Sequence, residues 1–200
     1  NTKKFITHIF GEQTEIGFDY LQLLYLKPTQ ILPILCLVSK ERATGKSTFL
    51  KWLKEIFEFN LTYLTNDSFT SNFNADWASK LLICIDEVLF QTEVLTERIK
   101  YLSTTNINKI EAKGKDRKEI EFFGKFILCS NNETSFIKID ADEIRFWVRK
   151  IDSYEKEDVL FLSKLIKEIP AFLYFLSSRQ LSTENKSRMW FTPQQIKTKA

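Results

Sequence analysis

The sequence predicts a three-layer α/β domain built on a parallel sheet. Short runs that are apolar at every position, at 34–38, 81–85 and 126–129, read as strands buried on both faces. They alternate with stretches whose apolar residues recur at helical spacing, the order in which helices cover both faces of a parallel sheet. At 200 residues, with 44% hydrophobic and 14% aromatic content, the chain has enough apolar matter for one folded domain, which excludes disorder.

Taken in order, residues 17–26 read as a helix, with Phe18, Leu21, Leu24 and Tyr25 three and four apart; Pro28 ends it and Pro33 precedes the first strand. This is a small helical lead-in. The strand at 34–38 leads through a polar loop into Gly45-Lys46-Ser47-Thr48 and a helix carrying Phe49, Leu50, Trp52, Leu53, Ile56 and Phe57. Residues 61–64 form a short strand, and 66–78 a turn-rich segment anchored by Phe69, Phe73 and Trp77. The next apolar run ends in Asp86-Glu87, and 92–102 is an amphipathic helix. Residues 108–121 alternate about a Lys113-Gly114-Lys115-Asp116 turn, a hairpin with Ile110 and Ala112 facing Ile120 and Phe122. The strand at 126–129 ends in Ser130-Asn131-Asn132, another strand occupies 146–151, and 158–175 is helical with a break at Pro170. The tail from Ser182 is polar and is expected to lead away into a further element. The chain opens on Asn1 and reads as a fragment of a longer protein.

Strand, loop, Gly-Lys-Ser/Thr and helix is the order a phosphate-binding loop requires. The glycine turns backbone N–H groups inward, and the helix start adds unpaired donors and positive dipole. Ala43, Thr44, Gly45, Lys46, Ser47 and Thr48 are thus the expected nucleotide-binding residues, with Lys46 on the β and γ phosphates and the Ser47 hydroxyl on Mg²⁺. One position departs from the pattern: the first glycine, five residues before Gly45, is Lys40. That removes a flexible backbone position but no ligand side chain.

Asp86 and Glu87 follow about 40 residues later at the end of a strand, where the first carboxylate would hold Mg²⁺ and the second act as general base toward water. The plain alternative is an acidic pair capping a strand-to-helix turn. Asn131, after the third buried run, can orient a water as a neutral amide, or can simply form a turn. In parallel sheets ligands bind beyond the carboxyl ends of strands, and Lys46, Asp86, Glu87 and Asn131 all fall there. Arg145 reads either as a finger stabilising transferred charge on a neighbouring subunit or as an ion-pair partner of Asp140, Asp142 or Glu143; Arg149 is a second candidate finger. The stretch 109–118 has a local excess of three positive charges, equal to the net charge of the whole chain, +3. Lys113, Lys115, Arg117 and Lys118 there can contact a nucleic-acid backbone, although no aromatic residue interleaves them for stacking on bases.

Several classes are excluded. No apolar run approaches the length of a membrane span, and the start, NTKKFITHIF, is too broken for a signal peptide. Cys36, Cys84 and Cys129 lie inside strand-like runs without metal spacing, and His8 has no partner, so the cysteines are expected buried and reduced in a cytoplasmic protein.

With loop, Asp-Glu strand, basic hairpin, Asn-ending strand and arginine in this order, the chain resembles superfamily 3 helicases, and within them the helicase part of primase-helicases of phages, plasmids and mobile elements, related to the poxvirus type. The family's motif A falls on 40–48, motif B on 83–87, motif B′ on 100–123 and motif C on 126–131. The resemblance implies an AAA+-like P-loop ATPase with sheet order 5-1-4-3-2. It divides the chain into a lead-in (1–31), a core (32–152) with an inserted hairpin (106–123), and a C-terminal helical segment (153–200). It further implies ATP and Mg²⁺ as cofactors, a hexameric ring, Arg145 acting in trans, hairpins gripping single-stranded DNA, and a primase domain N-terminal in the same chain. The expected activity is an ATP- and Mg²⁺-dependent DNA helicase motor in replication of a phage or mobile element. The alternative is a nucleotide-binding DNA-binding or assembly module without hydrolysis.

Overall fold

The computed structural model describes residues 1–87, 92–133, 143–154 and 158–197. Its centre is a five-stranded parallel sheet of β1 (Ile34–Val38), β2 (Leu61–Leu64), β3 (Leu82–Ile85), β6 (Lys125–Ser130) and β7 (Phe146–Lys150), in the order β2-β3-β6-β1-β7. The remaining two strands, β4 (Ile107–Ile110) and β5 (Lys118–Glu121), form a separate antiparallel hairpin. Numbered through the whole chain, the order differs from 5-1-4-3-2. Numbered over the sheet strands alone, it is 5-1-4-3-2, because the hairpin takes two places in the count.

The uniform apolarity of the strands has a direct cause. Leu35, Leu37, Leu82, Cys84, Ile127, Cys129 and Trp147 point to one face of the sheet. Ile34, Cys36, Val38, Ile83, Ile85, Phe126, Leu128 and Phe146 point to the other. Both faces are covered, so every position of β1, β3 and β6 is buried. The first face carries α1 (Thr2–Phe10), α2 (Thr14–Leu26), α3 (Lys46–Phe57), α6 (Phe161–Lys167) and α7 (Ile169–Ser178). The second carries the short α4 (Asn66–Thr70), Trp77, α5 (Glu93–Leu102) and one side of the hairpin. All three cysteines are free and buried. Among the described residues no helix is long and apolar enough to cross a membrane.

Four local expectations change. The lead-in contains two helices, and α1 is part of the core: Phe5, Ile6, Ile9 and Phe10 are fully buried, with the Phe10 ring stacked 5.1 Å from Trp147. The tail does not lead away but folds back: Trp190, Phe191 and Ile196 join the first core, and α8 (Pro193–Ile196) starts at a Thr192–Gln195 capping box. Phe73 is 49% exposed, unlike the buried anchors Phe69 and Trp77. In the hairpin, Asn108 pairs with Ile120 and Ile110 with Lys118, so Ile110 and Ile120 are diagonal neighbours that share the core-facing side.

Candidate functional site

The loop 39–45 leaves the C-terminal end of β1, the fourth strand across the sheet, and enters α3 through Gly45. That glycine is the residue before the helix and has φ 91°, a left-handed conformation that favours glycine. A Cβ there would come within 2.9 Å of the Phe5 ring, so space as well as φ requires glycine. Ala43 is also left-handed, at φ 55°. Lys40 is not, so the position that departs from the pattern has no backbone need for glycine.

Lys46 opens α3 and is 6% exposed. Its ammonium curls back into the loop, donating to the Ser39 hydroxyl and, at 3.1 Å, to the Thr44 hydroxyl. Burial pulls this lysine below its ordinary value, opposed by the negative forms of Cys129 and Asp86. The Ser47 hydroxyl donates to Asp86 Oδ2 at 3.2 Å, joining the helix start to the end of β3. Asp86 Oδ1 accepts from the Glu87 N–H at 3.1 Å, and Glu87 is held at φ 57°, a conformation costing a non-glycine residue about 1–2 kcal/mol. The Glu87 side chain is exposed, and its carbonyl accepts from Asn66 Nδ2 at 3.3 Å. Asn131 emerges, exposed, from the end of β6, which runs between β3 and β1. Lys46, Ser47, Asp86, Glu87 and Asn131 therefore share one edge of three adjacent strands.

Ser47 and Asp86 are hard oxygen donors that can each give one ligand to a divalent cation, leaving the rest to phosphate and water. Among the described residues no group of three or more His, Cys, Asp or Glu could cage a metal by itself. Among the described residues the Lys46 ammonium has hydroxyl partners only. The edge thus combines a cation, a pair of hard oxygen donors and an exposed carboxylate, the kinds of group that phosphoanhydride hydrolysis uses.

Arg145 lies elsewhere. Its carbonyl accepts from the Ile34 N–H at 2.8 Å, which fixes it at the opposite edge of the sheet from its own loop. The guanidinium meets Glu143 at 3.2 Å, and Glu143 also meets Lys100 at 3.3 Å. The expected ion pair with Glu143 is formed; Asp140 and Asp142 lie outside the described residues. Arg149 is buried, donating to Gln13 Oε1 at 2.7 Å and packing on Gly11, so it has a structural place in the first core, with its Nε buried and unpaired among the described residues.

The hairpin turn is exposed at Lys113, Lys115, Arg117 and Lys118, with Gly114 at φ 73°. Arg117 is paired with Glu111 at 2.6 Å. Sequence reasoning missed the clamp that holds the hairpin. Asn74 donates to the Lys109 carbonyl at 2.8 Å, and accepts from the Glu111 N–H at 2.8 Å. Its own N–H donates to the Glu111 carbonyl at 3.1 Å. Phe73, the residue before Asn74, is exposed. The clamp has no local signal, since it joins residues more than 30 apart. His8, read as partnerless, contacts the loop: its Nε2 meets the Thr44 carbonyl at 2.9 Å.

The same architecture recurs in solved structures. An apo structure of the NrS-1 C terminal region (305-718) matches with a TM-score of 0.82 at 21% identity, over 95% of this chain and 47% of that one. A second, the A form of that region, matches with a TM-score of 0.78 at 22% identity, over 94% and 46%. JCV helicase bound to a small molecule matches with a TM-score of 0.50 at 14% identity, over 90% and 56%. The resemblance to superfamily 3 helicases thus holds for the fold, and the chain spans less than half the length of the NrS-1 region. No curated protein matches the chain. Residues 37–149, more than half of the sequence, match the model of a family of unknown function, and the chain belongs to that family, DUF5906.

Proposed function

We propose that this protein is the ATP- and Mg²⁺-dependent motor domain of a DNA helicase of superfamily 3 type, acting in replication of a phage or mobile element. The observation that carries the reading is the Ser47–Asp86 contact of 3.2 Å beside the buried Lys46, which joins the phosphate loop to the acidic strand end. Lys46 and the loop N–H groups bind the triphosphate, and Ser47 and Asp86 hold Mg²⁺, which supplies charge neutralisation when bound. Asn131 orients a water against the terminal phosphorus, and Glu87 accepts its proton as the new P–O bond forms and the anhydride bond breaks.

Arg145, on the sheet edge remote from its own loop, serves a neighbouring subunit's nucleotide, so the active form is a ring, hexameric by this reading. The hairpin cations and Phe73 face single-stranded DNA, the former against phosphates and the latter against a base. Hydrolysis and DNA grip then act in one motor. The test is DNA-stimulated ATP hydrolysis by the assembled protein. Lys46→Ala and Glu87→Gln are each expected to lower it by about a hundredfold or more, with Glu87→Gln still binding ATP. Normal turnover in either variant sinks the mechanism.

A further inference from the structure

Lys40 stands where the first glycine of the phosphate loop is expected and has no part in the hydrolysis chemistry. Its side chain is 75% exposed and reaches toward Glu133, Nζ 3.9 Å from the carboxylate. Glu133 is 11% exposed and is held more closely by Lys150, at 3.1 Å. Two ammonium groups therefore share one carboxylate, and Lys40 has the looser half. The neighbouring Ser39 fixes where this happens. Its hydroxyl accepts from Lys46, and its N–H donates to the Ser130 carbonyl at 3.2 Å. Lys40 thus lies on the seam between the phosphate loop and the segment 131–133, where Asn131 emerges.

We propose that Lys40 is a second polyphosphate-binding cation of this loop, parked on Glu133 until the phosphates of a nucleotide take it over. This role presupposes that the loop binds a nucleoside triphosphate. An exposed, long ion pair contributes little, so the lysine leaves it readily. Glu133 is not orphaned by the departure, because Lys150 remains against it. Phosphate oxygens carrying several negative charges outcompete a carboxylate that is already shared. The ligand class is nucleoside di- and triphosphates, with little effect on monophosphates, whose charge is smaller. The departure from the loop pattern then adds a binding group, and its negative φ shows that it costs the backbone nothing.

The experiment is calorimetric titration with ATP, ADP and AMP in excess Mg²⁺, on wild type, Lys40→Ala, Lys40→Gly, Lys40→Arg, Glu133→Gln and the Lys40→Ala/Glu133→Gln double variant. Lys40→Ala and Lys40→Gly are expected to weaken ATP and ADP binding by about tenfold, as for loss of one charge-assisted contact, with AMP unchanged and Lys40→Arg close to wild type. Glu133→Gln is expected to tighten ATP binding several-fold, and to lose that gain when Lys40 is alanine. A Lys40→Gly variant that binds ATP as well as wild type overturns the proposal, as does equal tightening by Glu133→Gln in both backgrounds. Wild-type protein that binds no ATP overturns the nucleotide reading and this one with it. Wild-type binding that is indifferent to Lys40 overturns this one alone. Position 40 is exposed, and unchanged thermal midpoints of the Lys40 variants exclude unfolding as the cause.

Discussion

The imidazole of His8 donates through Nε2 to the carbonyl of Thr44, at 2.9 Å. A carbonyl only accepts, so the tautomer is set by this contact. The next carbonyl back, that of Ala43, accepts from the Tyr154 N–H at 3.2 Å, and the Tyr154 ring lies edge-on to His8 at 4.7 Å. Two segments about 145 residues apart in the chain thus hold consecutive carbonyls of the loop 39–45, each from outside the strand-loop-helix unit. The left-handed Ala43 is kept in place by these contacts, not by its own preference.

His8→Ala removes one of them. A hydrogen bond of this kind is worth about 1 kcal/mol, which corresponds to about fivefold in affinity if the loop must reorder on binding. ATP binding is expected to weaken by that factor, and His8→Gln, whose amide can donate to the same carbonyl, to recover most of it. Calorimetric titration reads both. Equal affinities for His8→Ala and wild type would mean that the loop holds its own shape.

Lys125 gives a pH test of the fold. The residue is 4% exposed, its ammonium donates to the Pro28 carbonyl and, at 2.6 Å, to the Phe123 carbonyl, and burial brings it down to about 8 from 10.5. The folded chain binds this proton less tightly than the unfolded chain. The cost of burying the charge is therefore full below about pH 8 and is relieved as pH rises toward 10.5, at up to about 1.4 kcal/mol per pH unit. The thiols of Cys36, Cys84 and Cys129, all pushed up by burial, act in the opposite sense once unfolded thiols ionise near pH 9. The measurement is accordingly a difference: urea unfolding of wild type and Lys125→Met from about pH 7 to about pH 9.5. Wild type is expected to gain on the variant above about pH 8. A constant gap would show that Lys125 is hydrated.

Asp19 ties the C-terminal segment to α2. It is fully buried and accepts from Arg179 at 2.5 Å, from the Ser182 N–H at 3.0 Å and hydroxyl at 2.8 Å, and from the Thr183 hydroxyl at 2.6 Å. Asp19→Ala leaves Arg179 with the exposed Glu15, at 3.0 Å, as its one remaining carboxylate among the described residues and takes the acceptor from Ser182 and Thr183, and a loss of about 2–4 kcal/mol in denaturant unfolding is expected. A loss below about 1 kcal/mol would mean that residues 179–183 do not dock on α2 in solution.

The sheet, and the gathering of Lys46, Ser47, Asp86, Glu87 and Asn131 at one edge of it, were legible in the sequence because their signals are local. Strands buried on both faces are apolar at every position, and residues that follow such strands fall at their carboxyl ends. What was missed depends on contacts distant in sequence. α1 is a two-turn helix with no side-chain cap; Phe5, Ile6, Ile9 and Phe10 recur in it at helical spacing, but its place in the core depends on Phe5 under Gly45 and Phe10 on Trp147. Trp190 and Phe191 sit in a polar tail, so composition hid their burial. Arg149 read as a second candidate finger, after Arg145, because nothing in the sequence reveals its contact with Gln13.

The hairpin allows its cations to be ranked. Arg117 spends its charge on Glu111 at 2.6 Å, whereas Lys113, Lys115 and Lys118 form no ion pair among the described residues. Each phosphate contact to a single strand releases about 0.7 counterion, so the affinity of a lysine that meets DNA depends on salt in proportion. Lys113→Ala/Lys115→Ala is expected to weaken binding of oligothymidylate about tenfold at low salt and to lower the salt slope by about 1.4. Arg117→Ala is expected to change the slope less, because the arginine enters already neutralised. Asn74→Ala, which strips the clamp from Lys109 and Glu111, is expected to weaken DNA binding without altering the slope's dependence on the remaining lysines, since it loosens the hairpin without removing charge. Fluorescence anisotropy at several salt concentrations separates these cases. An unchanged slope in the double lysine variant would move the DNA contact away from the hairpin tip.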